Sequence, residues 1–288
     1  MDRPDAATQG RRILAGLIGR GIQASRTPRM HEAEGERLGL RYLYQLIDLD
    51  RLQLHDAALP ELVLAAQRLG FSGLNITHPF KRSVIDWLDE LSPEAAAIGA
   101  VNTVVLSRGR RVGHNTDGWG FAESFRRGMA GVPLERVVQF GAGGAGMAVA
   151  RALLELGTRR LDIVDTDAAR AEALAASVTR GFGAGRAAAT GDAEAAVAAA
   201  RGLVNTTPLG MAKYPGMPVD RSWLRHDLWV ADIVYFPAAT ELLQAAAECR
   251  ARTLAGTGMA IFQAVRAFEL ITGVTPDADE MARHFASS

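Results

Sequence analysis

Cysteine occurs once in the 288 residues, at Cys249, so no internal disulfide is possible, which fits a reducing compartment such as the cytoplasm. Charge of either sign in excess is also missing: 32 basic and 32 acidic residues give a formal net charge of zero. No basic run stands out, which argues against nucleic acid or an anionic membrane surface as a partner. Long apolar runs are absent, so a bilayer-spanning segment is not expected. The polar start, Met1 to Arg12, lacks the apolar stretch of a signal peptide and reads as a frayed tail. The six histidines are scattered, without ligand spacing to Cys, Asp or Glu, so no metal is expected. Lysine is the sharpest scarcity: 30 of the 32 basic residues are Arg, and only Lys81 and Lys213 are Lys. An amine can give up its proton near neutral pH in a suitable site and a guanidinium cannot, so a retained Lys marks a position worth inspecting.

What is present is an ordinary globular composition, 48% hydrophobic and 22% charged, in a chain long enough for two modest domains. Ile13–Gly19 reads as a buried strand, and Thr27 as an N-cap with Pro28 opening a helix to about Leu38. Arg41–Leu49 is a strand, Leu59–Leu69 a helix, Phe71–Ile76 a strand, and Pro79 opens a helix through Leu88. Val101–Leu106 and Arg111–His114 pair as a hairpin. A helix from Asp117 to about Met129 leads to a second series: an apolar strand Val137–Phe140, a glycine-rich turn, a helix to Leu156, a strand Leu161–Val164, then alternating short elements. The stretch from Gly256 onward is helical. This pattern predicts an α/β protein of two domains. Residues 1–118, completed by 256–288, form a substrate-binding catalytic domain; residues 119–255 form a Rossmann domain; the active site lies in the cleft.

Gly141-Ala142-Gly143-Gly144-Ala145-Gly146 follows a strand and opens a helix, the context that gives G-x-G-x-x-G its meaning. The first glycine permits the tight turn, the second lets pyrophosphate approach the backbone, and the third lets helix pack on strand. The next strand ends at Asp165, nineteen residues after Gly146. A carboxylate there accepts hydrogen bonds from the adenosine ribose and repels a 2′-phosphate, so the expected cofactor is NAD rather than NADP. Asp167 is a possible substitute, and nearby Arg170 either softens the discrimination or stacks near the adenine. The loop Asn205-Thr206-Thr207-Pro208-Leu209-Gly210 closes a later strand and is placed near the nicotinamide half, with Thr206 facing the cofactor.

In the first domain four polar clusters sit at element ends: Ser25/Thr27, Asn75/Thr77/Lys81, Asn102/Thr103 and Asn115/Asp117. Lys81 lies one turn beyond Thr77, and Asp117 starts a helix, whose dipole favours an anion. A Lys near an Asp in a cleft makes a workable acid–base pair, with the Lys taking an alcohol proton as hydride leaves. Hydroxyls such as Ser25 and Thr27 can hold a carboxylate.

Several spaced motifs, in order from about Leu17 to the C-terminus, resemble the shikimate dehydrogenase family. They are Asn75-Ile76-Thr77-His78-Pro79-Phe80-Lys81, Gly99-Ala100-Val101-Asn102-Thr103, Gly113-His114-Asn115-Thr116-Asp117-Gly118, and Gly256-Thr257-Gly258-Met259 followed by Gln263. The resemblance implies Lys81 and Asp117 as the catalytic pair and Ser25 and Thr27 on the substrate carboxylate. It further implies Thr77, Asn102, Asp117, Tyr235 and Gln263 on ring hydroxyls and Gly256 near the nicotinamide. Two departures from the biosynthetic, NADP-using branch stand out: Ser25-Arg26-Thr27-Pro28 where Ser-x-Ser-Pro is usual, and Asp165-Thr166-Asp167 where an Asn-Arg-Thr run grips the 2′-phosphate. Both resemble the quinate/shikimate branch, which uses NAD in the breakdown of quinate. The expectation is therefore a cytoplasmic, NAD-dependent oxidoreductase acting on quinate or shikimate, a monomer or homodimer. An NADP-dependent biosynthetic enzyme, an aminoshikimate dehydrogenase and a nucleotide-responsive binding protein are the alternatives.

Overall fold

The computed structural model describes residues 9–286 and resolves two compact units, Met1–Thr116 with Gln263–Ser288, and Asp117–Phe262. Most of the expected Met1–Arg12 tail lies outside the described residues. Its last part is ordered, because the Gly10 N–H donates to Gly39 O and Arg12 already belongs to a strand.

In the first unit the order is β1 (Arg12–Gly19), α1 (Thr27–Arg37), β2 (Arg41–Asp48), α2 (Leu59–Arg68), β3 (Gly73–Ile76), β4 (Glu90–Leu91), α3 (Pro93–Ile98), β5 (Thr103–Ser107) and β6 (Arg110–His114). The sheet runs β2-β1-β3-β5-β6-β4. The first three strands are parallel; β1 and β3, inside the sheet, are largely buried and mostly apolar, while β2 at the edge is mixed and largely exposed or half-buried. The β5–β6 pair is antiparallel, and its turn residues Arg108 and Gly109 both have positive φ (50° and 76°), as a two-residue primed hairpin turn requires. Under the sheet, Leu59 and Val63 of α2 pack on Leu74, Ile76, Phe80 and Val104.

Two local expectations fail. Thr27 does not cap α1: Arg26 is the N-cap and makes no side-chain cap bond, while the Ser25 hydroxyl accepts from the Thr27 N–H at 3.3 Å. Arg26 is already in the helical region (φ −85°, ψ −7°), so the chain has turned one residue earlier than expected. Nor does Pro79 open an α-helix. The His78–Pro79 bond is cis, and the segment is a turn followed by a short 3₁₀ helix, Ser83–Trp87. The Lys81 carbonyl accepts from the Val101 N–H at 2.7 Å instead of from the next helical turn, and the bonds that follow (Ile85 to Arg82, Leu88 to Ile85) are three residues long.

The second unit comprises α4 (Asp117–Gly128), β7 (Arg136–Phe140), α5 (Gly144–Glu155), β8 (Arg160–Val164), α6 (Ala168–Phe182), β9 (Ala187–Ala189), α7 (Ala193–Ala199), β10 (Gly202–Asn205), β11 (Trp229–Asp232), α8 (Glu241–Glu248) and β12 (Thr253–Leu254). A long helix, α9 (Thr257–Thr272), starts in this unit and ends in the first, which α10 (Ala278–Ala286) completes. The second sheet is wholly parallel, in the order β12-β11-β10-β7-β8-β9. From β7 the chain winds one way to β8 and β9, then returns beside β7 and winds the other way to β11 and β12. The topological switch point is therefore between β7 and β10, where open α/β sheets bind ligands. Register aligns Phe140 with Val164 and Asn205, and Asn205 with Asp232. The residues that follow these strand ends thus emerge along one edge. Helices cover both faces: Val149 and Leu153 of α5 pack with Phe121, Phe125 and Leu174, while Val197 and Leu242 pack with Val138 and Val230.

His31 of α1 is fully buried, its Nδ1 3.0 Å from the Tyr42 hydroxyl and its ring edge-on to Tyr44, with centroids 5.1 Å apart. Its Nε2 has no partner, and burial pushes the imidazole pKa down to about 3. The folded chain holds this ring neutral while the unfolded chain protonates it near pH 6.5. Stability from this group is complete above pH 6.5 and is lost as pH falls toward 3. Lowering pH from 7 to 5 should cost the wild type about 2 kcal/mol more than His31→Gln in urea melts. Equal losses in both proteins would contradict the assignment.

Candidate functional site

Of the polar residues singled out in the sequence, Asn75, Asn102, Thr103 and Gln263 join Tyr44 and Thr116 in one connected group in the first unit. Asn75, at the end of β3, is buried and accepts from the Tyr44 hydroxyl at 2.7 Å. Its amide donates to Thr103 Oγ1 at 3.1 Å, and that hydroxyl donates to Asn102 Oδ1 at 3.1 Å. Asn102 in turn accepts from the Thr116 N–H and donates to Thr116 Oγ1, both at 2.9 Å. Thr116 Oγ1 lies 3.5 Å from Gln263 Oε1 of α9. The network runs across β2, β3, β5 and the end of β6 and fixes the Asn102 amide plane. Asn115 is used structurally, donating to Ala100 O at 3.0 Å.

Thr77 and Lys81 flank the turn after β3; both are half-buried, and the turn closes through the Phe80 N–H on Thr77 O at 2.9 Å. Ser25 and Thr27 are half-buried at the start of α1. The loop that delivers them is pinned by Asp48, a residue the sequence reading passed over. This carboxylate, 3% exposed at the end of β2, accepts from the Gly21 and Asp50 N–H groups on Oδ1 and from the Ile22 N–H and Gln23 Nε2 on Oδ2. Every lone pair is used, so the buried charge is solvated by the loop it holds. An acidic residue at the end of a strand was its only signal.

In the second unit the glycine turn is shaped by its own packing. Gly141 has φ +100°, and a Cβ there would stand 2.7 Å from Thr206 Oγ1; one at Gly146 would stand 2.5 Å from Gly141 O. Gly143 and Gly144 face open space, and no side chain caps the N-terminus of α5. The backbone there suits an anionic group. Asp165 is held beside it, its Oδ2 accepting from the Ala142 N–H at 2.7 Å and its Oδ1 from the Asp167 N–H at 2.9 Å. Asp167 caps α6, and Arg170 is exposed and paired with it at 3.1 Å. The residues present therefore fit a dinucleotide: open glycines, an uncapped helix end, and a fixed carboxylate after the second strand.

Thr206 is buried, with its hydroxyl donating to the carbonyls of Phe140 (2.8 Å) and Gly141 (2.9 Å). Asn205 is also inward, accepting from the Thr207 N–H and hydroxyl and donating to Leu209 O and Asp232 Oδ1. Asp232 further accepts from the Val234 N–H and the Thr240 hydroxyl, and burial raises its pKa against these bonds. One buried cluster thus fixes both the 205–210 loop and the loop bearing exposed Tyr235. Gly256 packs on the same turn, where a Cβ would sit 2.3 Å from Ile233 O. Asp117 opens α4 and is 6% exposed. The expected all-apolar character of Val137–Phe140 is a further correction: its third residue, Gln139, is polar and fully buried. Among the described residues no helix is long and apolar enough to cross a membrane.

Comparison with known proteins agrees with these features. The shikimate dehydrogenase substrate binding domain matches residues 17–104, and the shikimate 5'-dehydrogenase C-terminal domain matches residues 256–284. Shikimate dehydrogenase (NADP(+)) of Streptomyces avermitilis is 54% identical over 275 residues, 95% of this chain and 94% of that one. Quinate/shikimate dehydrogenase (NAD(+)) of Corynebacterium efficiens is 49% identical over 280 residues, 96% and 98% of the two chains. The solved quinate dehydrogenase from Corynebacterium glutamicum in complex with NAD superposes with a TM-score of 0.91 at 46% identity, covering 97% of this chain and 100% of that one. With the two-unit α/β fold, the glycine turn and the ordered motifs in place, this chain belongs to the shikimate dehydrogenase family.

Proposed function

We propose that the chain is an NAD-dependent dehydrogenase that reversibly oxidises a ring secondary alcohol of shikimate or quinate to the ketone. The observation that carries the cofactor choice is Asp165, whose carboxylate is anchored on the Ala142 and Asp167 N–H groups. It offers acceptors to a ribose diol and puts negative charge where a 2′-phosphate would bind. The NAD-bound quinate dehydrogenase at 46% identity and the NAD(+)-named relatives support this reading. The NADP(+)-named relative at 54% favours the second reading, an NADP-dependent shikimate dehydrogenase.

In this proposal residues 1–118 with 256–288 bind the acid, and residues 119–255 bind NAD. NAD, when bound, supplies the hydride acceptor. Gly141, Ala142, Gly143, Gly144 and Ala145 would face its pyrophosphate, Asp165 and Arg170 its adenosine half, and Thr206 and Gly256 the region of the nicotinamide. Ser25 and Thr27 hold the carboxylate. Thr77, Asn102, Tyr235 and Gln263 hold ring hydroxyls, and the fixed Asn102 amide gives that grip a defined direction. The Lys81 amine takes the hydroxyl proton as the carbonyl forms and returns it in reduction, with Asp117 as the carboxylate of the pair. Titration of the protein with NADH and with NADPH, followed by nicotinamide fluorescence, tests the cofactor reading. Tighter binding of NADH is expected, and tighter binding of NADPH would overturn it.

A further inference from the structure

Gln139 is the one polar side chain in the core of β7, and it is fully buried. Its Nε2 donates to two carbonyls at once, Gly141 O and Gly146 O, each at 2.9 Å. Both are acceptors only, so the amide has one admissible orientation, NH₂ toward the turn. Its Oε1 is left buried without a hydrogen-bond partner. Leucine has about the same bulk and would avoid the stranded Oε1, but it would take away the donor that both carbonyls share, so the effect of the glutamine falls on the glycine turn. The two carbonyls it grips are the first and last of the glycine turn. Gly141 is further fixed by its N–H on Val164 O at 2.8 Å and by Thr206 Oγ1 on its carbonyl at 2.9 Å.

We propose that Gln139 is a positioning residue for the dinucleotide, cross-linking the two ends of the glycine turn from beneath. It rests on the reading of the second unit as a dinucleotide-binding domain. By drawing two carbonyl oxygens down into the sheet, Gln139 keeps their negative ends off the pyrophosphate. It also holds the Gly143–Ala145 backbone in the one shape that presents N–H groups outward. Pre-ordering the turn removes the ordering cost that binding would otherwise carry. A residue acting this way should affect the cofactor and leave the acid substrate alone.

The test is Gln139→Leu and Gln139→Glu, measured beside the wild type by NADH fluorescence titration, steady-state kinetics and thermal melting. In Gln139→Leu the NADH Kd and the KM for NAD should rise about ten-fold, as loss of two hydrogen bonds to the turn implies. The KM for shikimate and kcat at saturating NAD should stay at wild-type values, while Tm falls by about a few degrees at most, because two buried carbonyls lose a donor. In Gln139→Glu the protonated side chain keeps one donor, so NADH affinity should fall as pH rises from 6 to 9 while the wild type stays flat. Wild-type NADH binding with an unchanged Gln139→Leu Kd would overturn the assignment of Gln139 alone. So would a fall in Tm accompanied by a rise in KM for both substrates, which marks a purely structural role. A wild type that binds neither NADH nor NADPH would overturn the dinucleotide reading, and this proposal with it.

Discussion

Lys81→Met is expected to cut turnover of shikimate and quinate by about a thousand-fold while leaving NADH affinity within about two-fold. Methionine keeps the length and packing of the side chain but can neither take nor return a proton. Lys81→Arg is the more searching substitution. It preserves the positive charge, so if Lys81 serves only to attract or hold an anionic substrate, activity should survive. If the amine takes the hydroxyl proton, Arg should fail nearly as badly as Met, because a guanidinium stays protonated under all working conditions. The chain makes this contrast pointed, since it uses Arg at 30 of its 32 basic positions. Steady-state rates and an NADH titration on the same preparations separate lost chemistry from lost folding. Near-wild-type turnover in Lys81→Arg would sink the proton-transfer role.

The second large effect concerns cofactor choice. Asp165→Asn keeps a carbonyl oxygen for the Ala142 N–H and removes the charge. A carboxylate a few ångströms from a dianionic phosphate repels it by roughly 1–4 kcal/mol at intermediate dielectric, so NADPH affinity should rise at least about five-fold. NADH should weaken by a similar factor, because hydrogen bonds to a charged acceptor contribute about 1.5–3 kcal/mol. Asp167 does not replace it readily: its carboxylate caps α6 through the Ala169 and Arg170 N–H groups and pairs with the Arg170 side chain. Unchanged NADH and NADPH affinities in Asp165→Asn would remove Asp165 from the discrimination.

Much of the fold was legible because parallel strands buried on both faces read as short apolar runs and the glycines mark real turns. The strands Val137–Phe140 and Leu161–Val164 lie within β7 and β8, and the hairpin and the glycine turn also lie where the sequence pattern placed them. The two misses have different causes, a long-range hydrogen bond in one and an early local turn in the other. Pro79 looks like a helix start, yet the Lys81 carbonyl is claimed by Val101, twenty residues on. Thr27 looks like a cap, yet the chain already turns into the helix at Arg26. Lys81, Asn102 and Asp165 stood out through residue type and place at element ends. The residues that hold such groups in position did not. Asp48 and Asp232 are buried polars tied to Ile22 and Asn205, 26 and 27 residues away, and Gln139 is a buried polar that turns onto the glycine turn that follows it. Only a polar residue in or at the end of a strand signalled them, and a single sequence gives such a residue no partner.

The most direct test is the initial rate of reduced nicotinamide formation by the purified protein, with shikimate and quinate each crossed against NAD and NADP. Turnover of either acid with NAD, and little with NADP, is the expected result. Turnover with NADP and little with NAD, or no turnover in any of the four combinations, would contradict it.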